Sequence, residues 1–101
     1  MNILKKTDKF EKWFRRLRDV NGKGKILSRL KRAELGNLGD FKIISTALFE
    51  MRIDFGPGYR IYFTKKGEII ILLLIGGDKS TQDRDIKQAQ RILSELGEWN
   101  G

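Results

Sequence analysis

The chain has 101 residues, 34% of them charged and 40% hydrophobic, which suits one folded domain spanning residues 1–101 and argues against a disordered chain. It has no cysteine and no histidine, so disulfides, thiolate or imidazole metal sites and Ser–His catalysis are excluded. The formal net charge is +8, and residues 5 to 32 hold twelve lysines and arginines against three acids, the electrostatic footprint of a nucleic-acid binder rather than of a membrane protein.

Asn2 to Lys6 predicts a short first strand. Thr7 and Asp8 then offer helix caps, and Asp8 with Glu11 has the spacing of a capping box. Phe10, Trp13, Phe14 and Leu17 recur at helical spacing and read as core rather than as a base-stacking platform. Asp19 to Gly24 reads as a break, because each of its two glycines disfavours helix by about 1 kcal/mol. A second helix is predicted from Lys25 through Glu34, with Ile26, Leu27, Leu30 and Ala33 inward and Gly36 as its stop. Lys9, Lys12, Arg16, Lys23 and Arg29, carried outward by this helical hairpin, are the candidate nucleic-acid contacts.

Gly36 to Asp40 is a loop, and Phe41 to Ile44 is a short strand or an extended segment. Next, Phe49, Met51, Ile53 and Phe55 alternate with Glu50, Arg52 and Asp54. Tyr59, Ile61 and Phe63 then alternate with Arg60, Tyr62 and Thr64. This is a β-hairpin with one apolar and one polar face. Gly56-Pro57-Gly58 reads as a three-residue loop. That pairs Phe55 with Tyr59, Asp54 with Arg60 and Arg52 with Tyr62, and it keeps odd residues opposite odd ones. Proline removes a backbone donor and no Lys-Ser/Thr pair follows, so the stretch is a turn and not a phosphate-binding P-loop. Glu50, Arg52, Arg60 and Tyr62 thereby share one face, with neighbours along a strand roughly 7 Å apart. Such a face can hold a phosphate, or the arginines can simply pair with Glu50 and Asp54; spacing leaves both open.

Lys65-Lys66-Gly67 is a second turn. Glu68 to Ile75 is apolar on both faces, the pattern of a strand covered on both sides. Gly76-Gly77-Asp78 is either a strand exit or a close backbone approach to a ligand beside Lys79. Ser80 or Thr81 caps a last helix with Asp83 and Asp85 in its first turn. Ile86, Ala89, Leu93 and Leu96 form its apolar stripe, and Trp99 covers the core edge. The expected fold is an α+β domain of order β-α-α-β-β-β-α, with helices on one face of a small antiparallel-rich sheet and the other face partly open.

Two stretches carry a resemblance: Leu48 to Phe63, with its E-x-R-I-x-x-G-P-G-Y-R-x-Y-F pattern, and Leu73 to Asp83, with Gly76-Gly77-Asp78-Lys79-Ser80-Thr81-Gln82. Together with Gly36-Asn37-x-Gly39-Asp40-x-Lys42 and Leu17-Arg18-Asp19, they resemble the RelE/ParE superfamily of type II toxin–antitoxin toxins. The likeness is greatest to its HigB-like, phage-derived addiction-module killer branch. The resemblance implies a RelE-like fold and a cytoplasmic, ribosome-dependent mRNA endoribonuclease, neutralised by a cognate antitoxin that is usually a helix-turn-helix protein. It implies charge stabilisation by Arg60, Arg52 and Lys79, and a further RNA contact at Lys42. Proton transfer falls to Glu50 or Tyr62, with the general base left open among carboxylate, tyrosine and lysine. No cofactor or metal is expected. The same superfamily contains ParE-like inhibitors of DNA gyrase that are not enzymes, and an inactive phage remnant is a third reading. Fold alone does not separate these; retention of Arg52, Arg60 and Lys79 favours the nuclease.

Overall fold

Five stretches of alternating or continuous apolar residues build one sheet, and three amphipathic helices cover it. The computed structural model describes residues 1–97, so Trp99 lies outside the described residues. In order, the elements are β1 (Ile3–Lys6), α1 (Asp8–Arg16), α2 (Val20–Glu34), β2 (Phe41–Ser45), β3 (Leu48–Ile53), β4 (Tyr59–Lys66), β5 (Ile70–Asp78) and α3 (Gln82–Leu96), with a 3-10 turn at Lys79–Thr81 leading into α3. The sheet order is β1-β5-β4-β3-β2. Only β1 against β5 is parallel; the other pairs are antiparallel. The fold is α+β, with one strand more than expected, because Phe41–Ser45 pairs with β3 as an edge strand, with a register shift between Ile43 and Ser45.

Both sheet faces are covered, which corrects the expectation of a partly open face. On one side Phe10 of α1 and Ile26 and Ala33 of α2 pack on Met51, Ile53, Tyr59, Ile61, Phe63, Ile71 and Leu73. On the other, Ala89 and Ile92 of α3 pack on Leu48, Tyr62, Leu72, Leu74 and Ile75. Each large apolar side chain fully buried in these layers contributes about 1.5–3 kcal/mol. Leu27 departs from the predicted inward stripe; it is 54% exposed. Among the described residues no helix is long and apolar enough to cross a membrane.

Local chemistry decides one helix start between two offered caps and moves another. Thr7, not Asp8, caps α1: its hydroxyl accepts from Phe10 N at 3.0 Å and donates to Leu74 O at 2.7 Å, tying the helix start to β5. The break predicted at Asp19–Gly24 is the first turn of α2. Asp19 caps it by accepting from Gly22 N at 2.9 Å, and its other carboxylate oxygen accepts from Tyr59 OH at 2.7 Å. The Gly22 amide and then the Tyr59 hydroxyl hold the Asp19 carboxyl below its usual pKa. Burial, and next Asp19, push the Tyr59 phenol up to about 12. A Cβ on Gly22 would meet the Tyr59 ring at 2.7 Å, so glycine lets α2 close onto β4 here despite its poor helix propensity.

The hairpin register also differs from expectation. Ile53 pairs with Tyr59, Arg52 with Arg60, Met51 with Ile61 and Glu50 with Tyr62. The loop therefore runs over five residues, 54–58. It is closed by Phe55 N donating to Ile53 O at 2.9 Å and Gly58 N donating to Phe55 O at 3.0 Å. Gly56 and Gly58 adopt φ of 56° and 79°, which glycine tolerates and other residues rarely do. The shift is two residues, so odd residues still oppose odd ones and the predicted face sharing survives. What changes is who faces whom.

A candidate phosphate-binding groove

Arg52 and Arg60 face each other across β3 and β4. Like charges directly opposite repel and cost stability, so an incoming anion relieves the pair. Together with Lys79 they line a groove of about 390 Å³, whose other walls are Asp40, Asp54 and the Gly56-Pro57-Gly58 turn. Arg60 Nη1 donates to the carbonyls of Gly58 and Tyr59, both at 3.3 Å. Its Nε is buried without a hydrogen-bond partner. Directly across from Arg60 on β5 is Gly77, where a Cβ would overlap the Asp85 carboxylate, so glycine is required by close packing. Lys79 is exposed at the start of the 3-10 turn. That turn is capped by Asp78, which accepts from Ser80 N at 2.8 Å.

Glu50 and Tyr62 do not line this groove; they lie beneath it, each 0% exposed. This corrects their expected proton-transfer role, because α3 covers the face they share with the arginines. Glu50 accepts three hydrogen bonds: from Arg52 Nε at 3.1 Å, Tyr62 OH at 2.9 Å and Gln82 Nε2 at 2.7 Å. Burial raises its pKa, but the bonds from Gln82, Arg52 and Tyr62 outweigh burial and hold it below the usual value. Burial, and next the bond to Glu50, push the Tyr62 phenol far up. A carboxylate saturated with donors and a phenol that holds its proton are both unsuited to taking one from a substrate.

The candidate nucleic-acid contacts divide. Lys9, Lys12 and Arg16, spaced along α1, line a second groove of about 480 Å³ with Trp13, Leu17, Ile75 and Gln88. Lys23 lies apart from them: its Nζ donates to Arg15 O at 3.3 Å and stands 5.3 Å over the Phe14 ring. Lys42 is exposed on edge strand β2, outside the Arg52–Arg60 groove. Arg29 is not a surface contact; it is 8% exposed. It donates to the backbone carbonyls of Arg52, Leu38 and Asp40 and so fixes two groove residues from behind. Burial, then the nearby Arg32 charge, lower its pKa.

Sequence reasoning missed Asp40 as a groove acid, took Asp54 only as a pairing partner of the arginines, and missed the structural role of Arg29 and Gln82. The signal for Gln82 lay in the Gly76-to-Gln82 stretch, where a neutral amide follows directly on the loop carrying Lys79. Among the described residues no group of three or more acidic side chains could hold a metal ion.

No protein-family model and no solved structure matches the chain. An uncharacterized protein of Haemophilus influenzae is 47% identical over 94 residues, covering 93% of this chain and 95% of that protein. At that identity over nearly the whole length of both, the chain belongs to the same family as the Haemophilus protein.

Proposed function

We propose that this protein is the toxin of a type II toxin–antitoxin module, a cytoplasmic endoribonuclease that cuts mRNA on the ribosome and is neutralised by a cognate helix-turn-helix antitoxin. The observation that carries the reading is the convergence of Arg52, Arg60 and Lys79 on one groove, with the two arginines directly opposed. The RelE/ParE resemblance of the same segments supports it. The mRNA 2′-hydroxyl attacks the adjacent phosphorus and the 5′-oxygen leaves. The three cations stabilise charge on the phosphoryl oxygens. Asp40 and Asp54 are the carboxylates on the groove walls, and they replace Glu50 and Tyr62 as candidates for accepting the hydroxyl proton. The Lys9–Lys12–Arg16 stripe on α1 supplies non-specific attraction to ribosomal RNA.

The nuclease works poorly on free RNA because the ribosome must hold the strand in line, and orientation of this kind is worth several kcal/mol. The reading is tested by inducing the protein in cells and mapping the 5′ ends of cellular mRNA, with plasmid supercoiling followed in parallel. New 5′ ends on translated messages with unchanged supercoiling are expected. Altered supercoiling with intact messages would replace this reading with gyrase inhibition.

A further inference from the structure

The three hydrogen bonds to Glu50 are divided unequally between its oxygens. Oε1 accepts from Arg52 Nε, whereas Oε2 accepts from both Tyr62 OH and Gln82 Nε2. The Glu50 side chain is 0% exposed and that of Arg52 is 36% exposed. Arg52 is thus gripped at its inner nitrogen. Its two terminal nitrogens bond to no other described residue. A guanidinium held in this way keeps its terminal pair for a bidentate anion.

Gln82 reaches Glu50 from 32 residues away. It is the first residue of α3 and directly follows the Lys79–Thr81 turn, so its amide ties the segment carrying Lys79 to the strand carrying Arg52. Its neutrality matters. A lysine or arginine at this place would compete with Arg52 for the buried carboxylate, whereas an amide satisfies Oε2 and leaves the charge of Glu50 to orient Arg52.

We propose that Gln82 is a positioning residue of the groove: by pinning Glu50 it aims the Arg52 guanidinium and sets Lys79 in register with it. The ligand part of this assignment rests on the phosphate reading of the groove; the orientation of Arg52 does not. Tyr62 is the second anchor of the same carboxylate.

The test uses Gln82→Met, which keeps the length of the side chain and removes the donor, with Tyr62→Phe as the second variant should the first fail to fold. Two quantities are measured on the full chain: the heteronuclear NOE of the Arg52 Nε–H by NMR, and the Kd of a 2′-O-methyl RNA hexamer, which cannot be cleaved by its own sugar. With the amide spectrum otherwise unchanged, Gln82→Met should loosen the Arg52 Nε–H and raise Kd about threefold to tenfold, the worth of roughly one ordinary hydrogen bond. In an Arg52→Ala background the same change should have a smaller effect on Kd, because the part routed through Arg52 vanishes with it. An Arg52 Nε–H as rigid in Gln82→Met as in the parent, or an undiminished effect on Kd without Arg52, would overturn the proposal. A parent protein that does not bind the hexamer overturns the phosphate reading instead, and the NOE arm then decides the role of Gln82 by itself.

Discussion

Arg60 stands directly opposite Arg52 in the β3–β4 ladder, and its Nε is buried with no partner. The two cations therefore occupy facing positions of the ladder and line one groove. Replacing Arg60 by alanine removes both the repulsion and an unsatisfied buried donor. Arg60→Ala should abolish growth arrest while leaving thermal stability unchanged or higher by about 0.5 kcal/mol. Circular-dichroism melting and colony counts after induction check this. A fully toxic variant, or one inactive only through unfolding, contradicts the site.

Arg29 should behave in the opposite way. It is buried and holds three backbone carbonyls. Arg29→Ala should cost about 3 kcal/mol of stability, since charged hydrogen bonds contribute about 1.5–3 kcal/mol and their acceptors are left unpaired. Reversing Lys9, Lys12 and Arg16 to glutamate should change stability little. It should weaken ribosome association and flatten its salt dependence, by roughly 0.7–0.9 in log–log slope for each phosphate that is no longer neutralised. Urea melts and salt titrations of ribosome pelleting separate the two classes.

Glycines in the same helix should respond with opposite signs. A Cβ at Gly24 meets nothing within 4 Å, whereas one at Gly22 meets the Tyr59 ring at 2.7 Å. Gly24→Ala should stabilise by about 1 kcal/mol. Gly22→Ala should destabilise by about 1–3 kcal/mol, the usual range for overpacking. Equilibrium denaturation of the two variants measures both.

The Glu50 carboxyl has a folded pKa below its usual value. Its stabilisation is therefore complete above the unfolded pKa of about 4.3 and is lost as pH falls through the lower folded value. Glu50→Gln should lower Tm at pH 7, and the difference should shrink as pH falls below the unfolded value and through the lowered folded one. Melting curves at half-unit steps of pH test this. A Tm difference independent of pH would show that Glu50 is not charged in the folded protein.

Periodicity makes the elements legible. The stripe through Phe10, Trp13, Phe14 and Leu17 and the apolar run in β5 both lead to packed elements. Face sharing of Arg52 and Arg60 survives the change of register because the shift is an even number of residues. The shift arises because Gly56-Pro57-Gly58 is not the whole loop: backbone bonds closing on Phe55 lengthen it to five residues. Glu50, Tyr62 and Arg29 elude sequence reading for one reason: polar residues in an alternating or helical pattern look solvated until the element covering them is known. Here α3 covers the first two, and the loop through Leu38 and Asp40 covers the third. Asp19 shows tertiary contact overriding propensity, since a cap and a bond to Tyr59 start a helix across two glycines.

The chemistry of the cut tests the central claim most directly. Ribosome-bound mRNA is prepared with one 2′-deoxy nucleotide immediately 5′ of the mapped scissile phosphate, beside an all-ribose control. Both are exposed to the protein and their ends analysed. The control should yield a cyclic or 3′ phosphate and a 5′ hydroxyl, and the deoxy substrate should stay intact at that position, because the attacking group is the RNA's own 2′-hydroxyl. Efficient cutting of the deoxy substrate, or products carrying 5′ phosphates, would mean that water is the nucleophile and would contradict the assignment of Arg52, Arg60 and Lys79 to this reaction.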